Sequence, residues 1–528
     1  MGAGAADLSS VIDQHIQALA KPGALSVRPG YKVRNDWLTD TRSIVVTVEH
    51  KVAHLPPDQM LPSQVDGVPV DVRQATPEKR KELANPIGFA NDLRLAPDLG
   101  AVPHFPEERT LPGGKPAATA SADAALARAA AAKPKLDYTP PDGVPLDPVE
   151  ADATIHISAS PDSGWMMLKP FLKATATSLT VGLYDFTSAH IEAVIGEALA
   201  GKLLTLVLDH PAEDPTADET DVQTVAMLRT ALGNGFDHAW ALTRADPEAD
   251  AWIFPTAYHI KVAVRDHTAL WLSSGNWTNF NQPDIEPASS ATDADAARHC
   301  ARDWHVIVEQ AQLAKVFEQY ILHDKTIAAA HNLPPARPGP PLPPSVLASS
   351  ETGPFQRFFD PATITGTMKI SPLLTPDPGV YASTVKDLIT SANESLYMQF
   401  QYIELPRAGV TDAQGFIDLV QAVAGRQQAG VDVKIIMSEF EKVGYLEQLQ
   451  AMGIDVVNNV KIQNNVHNKG MVVDGEAILV SSQNWSTDGT LYNRDAGVII
   501  YNRDAAVYFQ EIFLHDWENL AVQRASPD

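Results

Sequence analysis

The chain has 528 residues, of which 45% are hydrophobic and 20% charged, and its formal net charge is −25 at pH 7. This length predicts two or three domains, and the composition is typical of a soluble globular protein. The acidic balance argues against a broad basic surface that coats nucleic acid or anionic membrane, although a locally positive pocket can still bind phosphate. The single cysteine, Cys300, excludes an intramolecular disulfide and a multi-cysteine zinc site.

Residues 1–110 predict a small α/β module. A helix over about 7–20 precedes the strand-like stretch SIVVTVEHK at 43–51 and the turn and strand VDGVPVDVRQA at 65–75. The pattern resembles an N-terminal module attached to various bacterial enzymes, so we expect an accessory domain that could bind a protein partner. The first residues lack the pattern of a secretory signal, and no apolar run is long enough to span a membrane. We therefore expect a cytoplasmic protein without an integral membrane segment.

Two segments of biased composition divide the rest of the sequence. Residues 111–152 are rich in Ala and Pro and predict a linker. Residues 333–352 contain LPPARPGPPLPP, which cannot form a helix or a central strand because proline fixes φ and lacks an amide donor. We therefore expect domains over 153–332 and 353–528, joined by an extended connector.

These two domains repeat the same order of apolar strands and helical stretches, which makes the internal repeat the main feature of the architecture. Four pairs of stretches correspond: SLTVGLYDF with SLYMQFQYI, LLTLVLD with DVKIIMS, ALGNGFDHAW with QAMGIDVVNN, and ARDWHVIV with NRDAGVII. Strands that alternate with helices predict α/β layering, here in two copies. The first copy has extra acidic loops at 211–222 and 284–297, which we expect to be solvated.

Each copy also contains His, Lys and Asp at identical spacing, in HIKVAVRD at 259–266 and HNKGMVVD at 467–474. Ser-Ser-x-Asn-Trp follows at the same interval in both copies, and Arg-Asp opens a later strand. A His and a Lys two residues apart on a strand point to the same face. The candidate site residues are His259, Lys261, Asp266, Ser274, Asn276 and Asp303 in the first copy, and His467, Lys469, Asp474, Ser482, Asn484 and Asp495 in the second.

This set of side chains suits a phosphodiester. The lysines and asparagines can donate hydrogen bonds to the non-bridging oxygens. One histidine can attack phosphorus, while the other gives its proton to the leaving oxygen and later activates water. Asp303 and Asp495 either hold a ring nitrogen and fix its tautomer, or form ion pairs with the arginines before them. We expect no metal and no cofactor, since no group of side chains has metal-ligand spacing.

With both motifs complete, the sequence resembles the phospholipase D superfamily over about 155–525. The resemblance implies a bilobed fold of two α/β/α repeats, with one pseudo-two-fold active site between the lobes and a covalent phosphohistidine. It implies that His259 is the nucleophile and His467 the general acid, and that Asp266 and Asp474 are structural. Ser-Ser stands here where many members have Gly-Gly or Gly-Ser, and we expect this to be tolerated.

The motif identifies the bond that is cleaved and leaves the substrate open. The lead interpretation is a metal-independent hydrolase of phospholipid head-group esters. A nuclease acting on DNA or RNA is the alternative: the acidic balance argues against it, while Trp277 and Trp485 could stack bases or simply pack in the core. A non-catalytic protein that binds phosphate or acts as a scaffold is the third interpretation.

Overall fold

The computed structural model describes most of the chain, and every structural statement below refers to these residues: 8–34, 37–49, 59–75, 109–111, 138–209, 218–241, 244–246, 251–252, 257–329, 357–377, 379–406, 413–438, 443–463 and 465–523. Most of the predicted linker 111–152, the whole predicted connector 333–352 and residues 211–217 of the first acidic loop lie outside the described residues.

The N-terminal part forms one helix and a five-stranded sheet of order β3-β4-β2-β1-β5. Its elements are α1 (Leu8–Leu19), β1 (Ala24–Arg34), β2 (Trp37–Val48), β3 (Gln64–Val65), β4 (Val68–Gln74) and β5 (Arg109–Thr110). The helix places Ile12 and Leu19 on one face, where they join Val27, Ile44 and Val46 of the sheet in a small core.

The first half of the remaining chain alternates strands and helices. Its elements are β6 (Val149–Ser160), α2 (Gly164–Lys173), β7 (Ser178–Leu183), α3 (Ala189–Ala198), β8 (Leu203–Leu208), α4 (Asp221–Leu232), β9 (Phe236–Trp240), β10 (Arg244–Asp246), β11 (Ala251–Trp252), β12 (Lys261–Arg265), β13 (Ala269–Ser273), α5 (Ala291–Ala297), β14 (Asp303–Glu309) and α6 (Ala311–Ala329). Strand β6 begins inside the predicted linker 111–152, because Val149 already pairs with Ile370 in the sheet.

The second half follows a similar order. Its elements are β15 (Ala362–Thr375), α7 (Val380–Ser391), β16 (Ser395–Phe400), β17 (Ile403–Glu404), α8 (Gln414–Gln428), β18 (Asp432–Ser438), α9 (Val443–Ala451), α10 (Val456–Asn459), β19 (Val460–Gln463), β20 (Lys469–Val473), β21 (Ala477–Ser481), β22 (Trp485–Ser486), β23 (Asp495–Tyr501), α11 (Arg503–His515) and β24 (Val522–Gln523).

One 15-stranded sheet runs through both halves, and the antiparallel pair of β6 with β15 lies at its centre. Outward from that pair, the order is β14-β13-β12-β7-β8-β9 on one side and β23-β21-β20-β16-β18-β19 on the other. The two sides also pack against each other, since β13 contacts β21 and β12 contacts β23. This packing brings the starts of β12 and β20, where the motif lysines lie, into one region.

The largest core cluster contains residues of both halves, among them Ile157, Val262, Val472 and Val498. Two further clusters fill the spaces between the sheet and the helices of each half. The protein thus has the mixed α/β fold predicted from the sequence. None of the helices in the described part of the chain is long and apolar enough to cross a membrane.

The expectation that the acidic loops are simply solvated is wrong at the end of the first one. Asp221 is fully buried and accepts a hydrogen bond from the backbone N–H of Phe186 at 2.8 Å. Glu219 is also buried and accepts from the hydroxyl of Thr224 at 2.8 Å. These carboxylates fix the start of α4 against the end of β7, so they have a structural task that composition does not reveal.

Candidate functional site

The motif histidines lie just before the strands and not on them, which differs from the strand position expected for them. Strands β12 and β20 begin at the lysines, because the preceding backbone is hydrogen-bonded to the other half of the chain. The N–H of His467 donates to the carbonyl of Arg302 at 3.1 Å, and the N–H of Arg494 donates to the carbonyl of Ala257 at 2.7 Å. These bonds set the two histidines at the contact between the halves.

Each histidine is paired with the aspartate of the opposite half. Nδ1 of His259 lies 2.8 Å from Oδ1 of Asp495, and Nδ1 of His467 lies 3.0 Å from Oδ1 of Asp303. A carboxylate accepts the Nδ1–H proton, so the neutral ring keeps an unprotonated Nε2 that can act as a nucleophile or a base. The crossed pairs therefore need both halves of the chain.

The two lysines are buried beside the histidines. Nζ of Lys261 donates to the carbonyl of His259 at 2.6 Å and lies 5.2 Å from the ring centroid of Tyr184. Nζ of Lys469 donates to the carbonyl of His467 at 2.5 Å and lies 3.1 Å from its Nε2. Both ammonium groups thus sit within reach of an anion that contacts the imidazoles.

The Ser-Ser-x-Asn segments follow β13 and β21 directly. Ser274 donates to Oδ1 of Asp303 at 2.7 Å, and Ser482 donates to Oδ1 of Asp495 in the same way. The side-chain oxygens of both motif asparagines, Asn276 and Asn484, are buried and have no hydrogen-bond partner in the described part of the structure. A buried amide oxygen without a partner is costly, and because it accepts, it suits a ligand group that donates a hydrogen bond. The amide nitrogen of each side chain is the donor for a phosphate oxygen.

Burial sets the protonation of the imidazoles. It lowers the pKa of His259 well below the ordinary value, and the charges of Lys261 and Lys469 act in the same direction. It lowers the pKa of His467 to about 4, an effect that Lys469 strengthens and Asp303 opposes. Both rings are therefore neutral at pH 7, and a bound phosphate anion would raise both pKa values and favour a proton on one of them.

The two carboxylates of the crossed pairs differ. Burial raises the pKa of Asp495 to about 7, although the charge of Lys261 opposes this shift. Burial acts in the same direction on Asp303, but the charge and hydrogen bond of His467 outweigh it and hold the pKa of Asp303 below its usual range. Burial also lowers the pKa of Lys261 to about 8. The site is chemically asymmetric although its skeleton is repeated.

The arginines before the two aspartates pair with other carboxylates, so the alternative of direct Arg302–Asp303 and Arg494–Asp495 ion pairs is not what the structure contains. Arg302 contacts Asp162 at 2.8 Å and Asp516 at 3.0 Å, one from each half of the chain. Arg494 contacts Asp324 at 2.8 Å and Asp377 at 3.6 Å, again one from each half. Removing one member of such a buried pair is strongly destabilising. These contacts therefore anchor the strands that carry Asp303 and Asp495, the aspartates of the two crossed His–Asp pairs, or dyads.

The motif aspartates lie in the turns after β12 and β20. Asp266 accepts hydrogen bonds from the backbone N–H groups of Ala176, Thr177 and Ser178. Asp474 accepts from the backbone N–H groups of Asn393, Glu394 and Ser395. Both carboxylates thus tie a hairpin turn to the start of the neighbouring strand, β7 or β16.

Trp277 and Trp485 are buried in the cores of the two halves, where they contact Phe186 and Phe400. Their burial leaves no surface for stacking a base. Sequence reasoning missed Tyr184, whose ring lies 4.9 Å from that of His259, and Asn281, which donates to Asp303 at 2.8 Å. Tyr184 lies in a repeated stretch but corresponds to Gln401 in the second copy, and Asn281 lies outside the repeated stretches, so no shared residue pointed to either.

Comparison with known proteins gives one family match, in the C-terminal half, and two similar curated proteins. A family model described as "Cardiolipin synthase, PLD-like domain" matches residues 385–517. A Phospholipase D of Rickettsia felis is 29% identical over 154 residues, which cover 29% of this chain and 68% of that protein. A Phospholipase D of Rickettsia conorii is 28% identical over the same shares of both chains.

Among solved structures, phosphatidylserine synthase of Haemophilus influenzae Rd KW20 is similar with a TM-score of 0.46 and 12% sequence identity. The similarity covers 70% of this chain and 87% of the synthase. The family model and the two Rickettsia relatives carry the assignment, and they agree with the motifs in the sequence. Residues 385–517 therefore match the PLD-like domain, and the chain is similar to phospholipase D proteins.

Proposed function

We propose that the chain is a phosphodiester hydrolase that works through a covalent phosphohistidine, with one active site built by two phospholipase D-like repeats. In this proposal the repeats span 153–332 and 353–528 and form two lobes. The crossed His259–Asp495 and His467–Asp303 pairs are the observation that carries it. They supply two oriented imidazoles beside two lysines. One imidazole can act as the nucleophile and the other as the proton donor.

In the first step, Nε2 of His259 attacks phosphorus while the bond from phosphorus to the leaving oxygen breaks. His467, protonated once the anion is bound, gives its Nε2 proton to that oxygen. Lys261 and Lys469 stabilise the charge on the non-bridging oxygens, and Asn276 and Asn484 donate to them. In the second step, His467 takes a proton from water, the hydroxide attacks phosphorus, and the bond between phosphorus and His259 breaks.

A phospholipid head-group ester is the proposed substrate. Two matched relatives carry the name Phospholipase D. The acidic side chains Asp185 and Asp209 lie close enough to Lys261 to act on its pKa, which makes the surroundings of the site unfavourable for a second phosphate. A nucleic acid brings a phosphate at every nucleotide and relies on basic grooves, so it is the less favoured substrate.

Residues 1–110 are proposed to be an accessory module. Strand β2 of its sheet contacts β19 and β24, at the edge of the large sheet in the second half. The module is thus proposed to lie at the sheet edge and not at the crossed pairs. A protein partner could bind to the module there without covering the site.

The direct test is an assay in EDTA that offers phosphatidylcholine vesicles and single-stranded DNA, with the His259→Ala variant as the blank. We expect choline release by the wild-type protein, because two lysines neutralise the phosphate charge, and at least a 1000-fold lower rate in the variant, as roughly expected when an essential nucleophile is removed.

DNA cleavage without choline release would indicate that the protein is a nuclease and not a phospholipase. If neither substrate reacts, bis(p-nitrophenyl) phosphate serves as a generic diester. A wild-type protein that is inert toward all three would overturn the enzymatic proposal and leave a phosphate-binding or scaffolding role. Activity that is lost in EDTA and restored by a divalent ion would contradict the role given to the lysines.

A further inference from the structure

Asp303 has a hydrogen-bond donor for each of its oxygens. Oδ1 accepts from Ser274 at 2.7 Å and faces Nδ1 of His467 at 3.0 Å. Oδ2 accepts from Nδ2 of Asn281 at 2.8 Å. Asn281 itself is 2% exposed, so this contact is shielded from water. Donors that bind the charged form of a carboxylate stabilise that form, most strongly where water is excluded.

A local turn fixes the orientation of the Asn281 amide. The hydroxyl of Thr278 donates to Oδ1 of Asn281 at 2.9 Å and accepts from the backbone N–H of Asn281 at 3.2 Å. With its oxygen occupied by a hydroxyl donor, the amide presents its nitrogen to the carboxylate. Gly275 provides the space, since a Cβ at this position would lie 2.5 Å from Oδ2 of Asp303.

The second half has the same turn without the amide. The backbone N–H of Gly489 donates to the hydroxyl of Ser486 at 3.2 Å, just as Asn281 does to Thr278. Gly489 occupies the place of Asn281, and a Cβ there would lie 2.2 Å from the carbonyl oxygen of Asn484. This position of the second half therefore excludes any side chain that could reach the carboxylate.

Asp495 consequently lacks the donor that Asp303 has on its second carboxylate oxygen. Its Oδ1 contacts Ser482 and His259, but its Oδ2 has no hydrogen-bond partner in the described part of the structure. Burial raises the pKa of Asp495 to about 7, although the charges of Lys261 and Lys469 and the side chains of Ser482 and Asn493, which act on it as hydrogen-bond donors, oppose this shift.

The surroundings of Asp303 act in the opposite sense. His467, Lys469 and His305 face this carboxylate and act to lower its pKa, and their combined effect exceeds that of burial. The Asn281 amide adds a neutral donor on the oxygen that these groups leave open. The two dyads therefore differ in a contact that geometry alone establishes.

We infer that Asn281 is a positioning residue that divides the labour between the two histidines: by holding Oδ2 of Asp303 it keeps that carboxylate ionised and thereby favours the proton on His467. The dyad without this amide leaves His259 as the unprotonated nucleophile. The inference rests on the proposed phosphodiesterase function and names a residue outside the repeated motif.

The test compares two substrates that differ only in the nitro group of the leaving phenol, the p-nitrophenyl and phenyl esters of methyl phosphate, in the Asn281→Leu variant. Leu has the same branched arrangement of side-chain heavy atoms as Asn and lacks the donor. The phenolate needs a general acid more than the p-nitrophenolate does. We expect kcat/KM to fall about 30-fold or more for the phenyl ester and less than about threefold for the p-nitrophenyl ester. The limb of the pH profile that requires protonated His467 should move to lower pH.

Asn279→Ala is the control, because Asn279 contacts Ser188 and Asp218 and does not touch the dyad. It should change neither the substrate ratio nor the pH profile. If Asn281→Leu does not fold, Asn281→Ala removes the same donor without adding bulk to the buried site. An equal loss with both esters, or an unshifted pH profile, would overturn the inference, whereas a wild-type protein inert toward both esters would instead overturn the proposed function.

Discussion

The His467–Asp303 dyad and the His259–Asp495 dyad share a skeleton and differ in their surroundings. In both, a serine hydroxyl and an imidazole meet on one oxygen of the aspartate. Oδ2 of Asp303 accepts from the Asn281 amide, whereas Oδ2 of Asp495 has no hydrogen-bond partner in the described part of the structure. The comparison shows that a repeated motif can supply matching groups while a single unrepeated contact gives the two aspartates different surroundings, which is the basis of the proposed division of roles.

The comparison also shows that neither half can assemble a dyad alone. Each aspartate reaches the histidine of the other half, and each neighbouring arginine is held by one carboxylate from its own half and one from the opposite half. The buried arginine–carboxylate ion pairs and the crossed His–Asp pairs therefore both depend on the interface between the two halves.

The largest effect is expected from removing the charge of the dyad aspartates. Asp303→Asn and Asp495→Asn should each lower kcat/KM at least about 100-fold, because an amide can leave the ring in the wrong tautomer. The loss for Asp303→Asn should be greater with a poor leaving group, since its partner His467 is the proposed proton donor. Steady-state kinetics on the two aryl methyl phosphates would measure this.

Asp266→Asn is the matched control for those variants, because it is an aspartate of the motif that lies outside the crossed pairs. Its activity should stay within about twofold of the wild type, as expected for a residue that makes no contact with the reacting groups. Equal losses for Asp303→Asn and Asp495→Asn with every leaving group would break the distinction between the two dyads.

The smallest effect is a pH-dependent loss of stability in the same Asp266→Asn variant. Backbone N–H bonds outweigh the effect of burial and lower the pKa of Asp266 to about 2, so its contribution to stability is present above the unfolded pKa of about 4 and is lost as pH falls toward 2. Because the side chain is only partly buried, we expect a loss of about 1 kcal/mol at pH 7. Urea unfolding at pH 7 and pH 2.5 would measure it, and an equal loss at both pH values would contradict the assignment.

Much of the fold could be predicted because the apolar stretches are short, regularly placed and repeated. Strands β7, β8, β16 and β18 fall within stretches that the sequence singles out, and β14 and β23 extend one residue beyond theirs. The start of β6 could not be predicted, because Val149 lies in a Pro-rich segment and becomes a strand only by pairing with β15. The burial of Asp221 likewise depends on a partner, the N–H of Phe186, that is distant in the sequence.

The motif predicted the residues of the candidate site but not how they pair. Nothing in the spacing of His259 and Asp303 reveals that each contacts a residue of the other half. A repeated feature was overlooked: Pro-Asp follows both central strands, and Leu-His-Asp recurs at 322–324 and 514–516. These repeats supply the four carboxylates that hold the two buried arginines. Asn281 is not repeated, so only the structure identifies it.

The division of roles between the dyads is tested most directly by locating the covalent intermediate. The His467→Ala variant, mixed with bis(p-nitrophenyl) phosphate and quenched, should accumulate a phosphorylated protein because the base for hydrolysis is missing while the good leaving group needs no acid. Peptide mass spectrometry should place the adduct on His259. An adduct on His467 in the converse His259→Ala variant, with none on His259 in His467→Ala, would reverse the two roles and contradict the account.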